Sequence, residues 1–128
     1  MKRAVSRKAA RRQALYLLYQ WDLTGQELAS LYEGEPDEFA RALAEAVSDR
    51  ALALDARISD ASPEWPANRL GTLERNILRI GVYELEEETV PREVAINEAV
   101  VLAKRYASED AARLVNGILA RVAREEAA

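Results

Sequence analysis

The segment TLERNILRIGVYEL, residues 72–85, constrains the fold more than any other part of this sequence. At about 100° per residue, Leu73, Ile77 and Ile80 fall on one line of a helix while Leu78, Val82 and Leu85 fall on another. A helix that is apolar on two sides needs neighbours on both, so residues 72–86 are expected to form the central, most buried helix of an all-α domain. Glu84 lies on the first of those lines, where an unpaired carboxylate is costly to bury. The residues alone leave it three places to go: an internal arginine, solvent at the helix end, or a basic protein partner.

The flanking segments have the same helical period, and neither strand alternation nor an internal repeat is visible. Ser6 is a good N-cap for a first helix reaching about Leu23, with Ala14, Leu17, Leu18 and Trp21 inward; Thr24-Gly25 ends it. Leu28, Leu31 and Tyr32 suggest one or two turns before Gly34-Glu35-Pro36. Asp37 can cap one long helix whose stripe is Phe39, Leu43, Val47, Leu54 and Ile58, stopped by Ser62-Pro63 and Pro66. Trp65 falls in the linker that follows, before a short turn around Asn68 to Leu70. After the central helix, Thr89 and Pro91 start a helix carrying Val94, Ile96, Ala99, Val100, Leu102 and Ala103, and Ser108 opens a last one holding Val115, Ile118, Leu119 and Val122. Gly117 in that last helix is expected to permit close helix packing. Residues 1–128 are thus expected to form one domain of six or seven helices.

Chemistry is limited by what is missing. The sequence has neither cysteine nor histidine, which removes disulfides, thiolate metal sites, the commonest general base and the commonest metal ligand. No glycine-rich nucleotide loop or HExxH pattern occurs, so a non-enzymatic protein without cofactor is expected. No apolar run approaches the roughly 18 residues of a membrane span, and a cytoplasmic, membrane-free protein is expected.

Charge is unevenly placed. The net charge is −4, yet residues 1–12 hold Lys2, Arg3, Arg7, Lys8, Arg11 and Arg12 with no acid, which leaves 12 basic against 22 acidic residues in the rest. A basic head on an acidic body suggests one localised anion contact. Lys8 and Arg12 fall on the side of Tyr19, while Arg7 and Arg11 continue the Ala14/Leu18 line beyond the core. Arginine forks suit phosphates, and a nearby tyrosine could stack on an unpaired base. The bland alternative is a solvated terminus. Arg75 and Arg79 are expected to pair at the surface with Glu74 or Glu86.

In order and spacing, ALYLLYQWDL, a following tryptophan and Arg-Leu, LERNILRIGVYEL, VPREVAINEAVVLAKRYA and LVNGIL resemble the NusB family over nearly the whole chain. The resemblance implies about seven helices in two small bundles and a transcription antitermination factor. Such a factor binds single-stranded boxA-type leader RNA together with NusE, a small-subunit ribosomal protein, and acts indirectly on the RNA polymerase elongation complex; both a monomer and a homodimer that hides the RNA surface are left open for the free protein. It implies RNA contacts at Arg3, Arg7, Lys8 and Arg11 and at Lys104, Tyr106, Asp110, Arg113 and Leu114, and NusE contacts at Tyr19, Asp22 and Glu84. Departures are Leu114 where an aromatic is frequent, Ala107 where glycine is common, and Ala111 where a hydroxyl residue often stands. Two other readings are weighed: the RNA-binding part of an rRNA methyltransferase, which the end of the chain at Ala128 without a nucleotide site disfavours, and a purely structural helical protein.

Overall fold

The computed structural model describes residues 5–128, and every helix in it starts or stops for a visible local reason. Among the described residues there are six α-helices, two 3-10 turns and no strand: α1 (Arg7–Thr24), α2 (Glu38–Asp49), α3 (Ala51–Ala61), α4 (Thr72–Glu87), α5 (Arg92–Tyr106) and α6 (Glu109–Ala127). The 3-10 turns are Leu28–Leu31 and Ala67–Arg69, at the places where the sequence allowed only short helical pieces.

Side-chain oxygens close three helix starts. Ser6 accepts from the Ala9 N–H at 3.1 Å, Asp37 from Ala40 at 3.1 Å and Ser108 from Ala111 at 3.0 Å, each satisfying one of the N–H groups a helix leaves orphaned. Gly25 ends α1 at φ 74°, where its N–H reaches the Trp21 carbonyl.

The single long helix expected from residue 37 to the Ser62-Pro63 stop is broken at Arg50. The Arg50 N–H is shared among the carbonyls of Ala46, Val47 and Ser48, and the Ser48 hydroxyl takes the Glu45 carbonyl at 3.0 Å. Such a side-chain bond competes with the regular ladder. The Arg50 side chain then holds Glu87 and lies 5.3 Å from the Tyr83 ring centre, so the break faces the far end of α4.

Nine of the 16 residues of α4 are buried, a larger share than in any other helix, as its two apolar lines require. The Ile77, Leu78, Ile80, Val82 and Leu85 side chains join one core with Leu18, Leu54, Ile58, Val115, Leu119 and Val122. Close approach of α4 and α6 is made possible by Gly81, not Gly117. A Cβ at Gly81 would stand 2.6 Å from Leu119 Cδ1, whereas at Gly117 it would meet nothing within 4 Å. Among the described residues no helix is long and apolar enough to cross a membrane.

Candidate nucleic-acid interface

The basic head divides into inward and outward cations. Its residue Arg3 lies outside the described residues. Arg11 is the inward one. Its Nε donates to Glu84 Oε1 at 3.0 Å and Nη2 donates to Oε2 at 2.7 Å, and both side chains are almost wholly buried. This corrects the expectation that Arg11 lies beyond the apolar stripe: one more turn of the Ala14/Leu18 line is still core, because α4 runs alongside it. The fork that would clasp a phosphate is filled by a carboxylate. For Glu84 the same contact is the first of its three possible places, the internal arginine, and with both oxygens used inside the chain it presents almost no surface of its own. The Glu84 hydrogen bond, set against the cost of burial, raises the Arg11 pKa above its ordinary value.

Asp22 is also committed internally. Its Oδ2 accepts from Arg75 Nε at 2.9 Å, Arg79 Nη1 at 3.0 Å and Asn76 Nδ2 at 3.0 Å. Arg79 in turn forks onto Asp55, with both bonds 2.7 Å long. Arg75 also donates to the Leu70 carbonyl at 3.0 Å. Burial pushes the Asp22 carboxyl up, but the Arg75 hydrogen bond, the Arg79 charge and the Asn76 amide outweigh it and hold it below its ordinary value. The expected surface pairs of Arg75 and Arg79 with Glu74 or Glu86 are therefore corrected to a network joining α1, α3 and α4. Asp55 had no signal of its own: it lies on a different helix, 24 positions away.

The outward cations divide between two neighbours of α1, Arg7 lying towards α2 and Lys8 and Arg12 towards α5. Arg7 is exposed and its guanidinium stacks 3.9 Å from the Phe39 ring centre. Lys8 is largely exposed and pairs with Glu98 of α5 at 3.4 Å, which ties the basic start of α1 to α5. Farther along, Arg12, Leu15, Tyr16 and Tyr19 of α1 meet Leu73 and Tyr106 around a groove of about 420 Å³. Tyr16 and Tyr106 are about half exposed, and Tyr19 lies at the edge of exposure. Lys104 is exposed on the last turn of α5.

The remaining expected residues lie at the start of α6. Asp110 and Arg113 are exposed and pair with each other. Asp110 and Leu114 line a second groove with Trp65, Arg69 and Glu74, so the linker tryptophan joins the same surface. Residue patterns missed Tyr16, whose signal was present as the helical neighbour of Arg12 and Tyr19. Among the described residues no cluster of acids is arranged to hold a metal ion.

The chain resembles known proteins along most of its length. The model of the NusB family matches residues 8–124. The transcription antitermination protein NusB of Rubrobacter xylanophilus is 40% identical over 122 residues, covering 90% of this chain and 88% of that protein. The crystal structure of NusB from T. maritima superposes with a TM-score of 0.85 at 32% identity, covering 96% of this chain and 94% of the other. A NusB chain crystallised as antitermination factors NusB and NusE in complex with dsRNA superposes with a TM-score of 0.81 at 30% identity, over 93% and 96% of the two chains. A family match over nearly the whole chain, with the same helical fold, places this chain in the NusB family.

Proposed function

We propose that residues 1–128 work as one RNA-binding transcription antitermination domain that takes single-stranded boxA-type leader RNA together with NusE and sustains elongation on ribosomal RNA operons. The observation that carries this reading is the exposed basic start of α1, Arg7 and Lys8, together with the groove where Arg12 meets Tyr106, in a chain of net charge −4. Its NusB relatives, one of them crystallised with NusE and RNA, support the same assignment. In this reading Arg7 and Lys8 neutralise phosphates and Tyr106 offers a ring to an unpaired base. Lys104, Arg113 and Leu114 extend the track towards α6, with Asp110 holding Arg113 in place. Tyr19 is left as the surface contact for NusE. Contact with the polymerase elongation complex is indirect, through NusE, in the cytoplasm, and no catalysis is involved.

Fluorescence anisotropy of a boxA-type RNA across a salt series, with and without NusE, tests this. The Arg7→Ala, Lys8→Ala double variant is expected to flatten the slope of log affinity against log salt by about one to one and a half, at roughly 0.7 per phosphate on a single strand. Equal binding of a scrambled strand, with no gain from NusE and an unchanged slope, overturns the proposal. Light scattering on the free protein shows whether a homodimer forms and covers this face.

A further inference from the structure

We propose that the groove between α1 and the end of α5 is a nucleobase cleft, with Tyr16 as its principal stacking platform and Arg12 as the cation that meets the adjoining phosphate. The inference rests on the RNA-binding reading above and names a part of the site that reading leaves open. Tyr16, Tyr19 and Tyr106 each keep part of their surface in water, and they border one cavity rather than standing apart. Its volume of about 420 Å³ falls within the roughly 300–1,000 Å³ of small-molecule sites, which suits a base with its sugar better than a whole helix of a partner.

Charge selects among flat ligands. The chain has more acids than bases, yet none of the six residues lining this groove is acidic, and its one ionisable group of fixed charge is Arg12. Arg12 makes no ion pair with any described residue, in contrast to Arg11 beside it. A second cation, Arg105, lies 5.4 Å from the centre of the Tyr106 ring. Apolar walls of Leu15 and Leu73, tyrosine faces and cations at the rim are what a single-stranded nucleic acid uses: rings for the bases and arginine for the backbone. The neighbouring groove on the other side of Tyr16 has the opposite character, being rimmed by Glu33, Glu35 and Asp37. A polyanion is favoured on the first. Tyr19 borders the cationic groove and is also the proposed NusE contact, so the test must tell the two occupants apart.

The probe is a boxA-type RNA in which 2-aminopurine replaces one base at a time, together with the same strands carrying an abasic nucleotide at that position. With the wild-type protein, one position is expected to show strong quenching of 2-aminopurine as it stacks. Tyr16→Ala should abolish that quenching and weaken binding about tenfold, within the range measured for loss of one base–aromatic stack, while Tyr16→Phe restores both. The abasic strand should bind the wild type as weakly as the intact strand binds Tyr16→Ala, and combining the two changes should cost little more. Tyr16 is more than half exposed, so these variants keep the fold, which melting checks. If Tyr16→Ala binds RNA like the wild type while the salt dependence due to Arg7 and Lys8 persists, the cleft is wrong and RNA binding stands. Loss of NusE affinity in Tyr16→Ala with RNA binding unchanged assigns the groove to a protein and overturns the proposal. A wild-type protein that binds no RNA removes both readings together.

Discussion

At one end of the seam between α1 and α4 a single arginine grips a single glutamate, whereas at the other end two arginines, two aspartates and an asparagine share their bonds. The Arg11–Glu84 pair is closed off from water, while Asp22 and Asp55 keep part of their surface exposed. An isolated buried pair has no substitute: when one partner goes, the other is a bare charge in the core. A network at the edge of solvent has several, since Arg79 without Asp22 still holds Asp55 and water can enter. The polarity is also reversed between the ends, with α1 giving the cation at one and the anion at the other. Turning α1 around would set Arg11 beside Arg75 and Arg79 and Asp22 beside Glu84. The two ties thus favour the antiparallel arrangement through repulsion in the alternative as well as attraction in the native state.

The largest effect should come from breaking the isolated pair. Glu84→Ala is expected to cost about 3–5 kcal/mol in urea unfolding, and Arg11→Met combined with Glu84→Leu to recover most of it. A Glu84→Ala protein with wild-type stability would show that the pair anchors nothing. Next comes the middle of α4, where packing replaces charge. Gly81→Ala must displace Leu119 and should cost about 1–3 kcal/mol, while Gly117→Ala, facing open space, should stabilise by up to about 1 kcal/mol. Similar changes in both variants would remove the distinction between them.

The networked end should be more forgiving. Asp22→Asn is expected to cost about 1–2 kcal/mol at neutral pH, less than Glu84→Ala, because its partners keep other acceptors. Its pH dependence has a definite sign. The folded carboxyl titrates below its unfolded value of about 3.9, so its contribution is present above that pH and is lost as pH falls through the lower folded value. Acid unfolding of the wild type should therefore steepen below about pH 4, and Asp22→Asn should lose that part of the curve. An identical acid limb in the variant would put the lability elsewhere. The smallest effect is expected at Arg7→Ala, within about 0.5 kcal/mol by thermal melting, against several for Arg11→Ala only four positions away. If the two behaved alike, the inward and outward halves of the basic head would be one surface.

Helix positions were legible because their signals are local: the Ser6, Asp37 and Ser108 caps, the Gly25 stop and the double apolar line of α4 each need only a few adjacent residues. The destinations of the charges were not. Arg11 and Glu84 are 73 positions apart, and the apolar line of α1 does not say how far along it α4 extends. Helical spacing grouped Arg12 with Tyr19 but could not bring Tyr106 and Leu73 to them, because that meeting depends on how α4 and α5 dock on α1. The family resemblance carried Glu84 and Asp22 over as partner contacts by position alone, and position does not show which way a side chain is satisfied. The Arg50 break was hidden because the apolar stripe passes through it in phase.

That break has a consequence of length. Residues 38–61 as one straight rod would measure roughly 36 Å at 1.5 Å per residue, against roughly 24 Å for the 16-residue α4 on which their second half lies. An unbroken rod would overhang its support by a third and leave apolar side chains in water beyond the end of α4. Folded in two at Arg50, the same stretch lays α2 chiefly on α1 and turns α3 across α4 towards the tail of α6, where Arg57 meets Glu125 and Glu126. The break thus fits one stretch of chain to two supports, α2 to the longer α1 and α3 to α4.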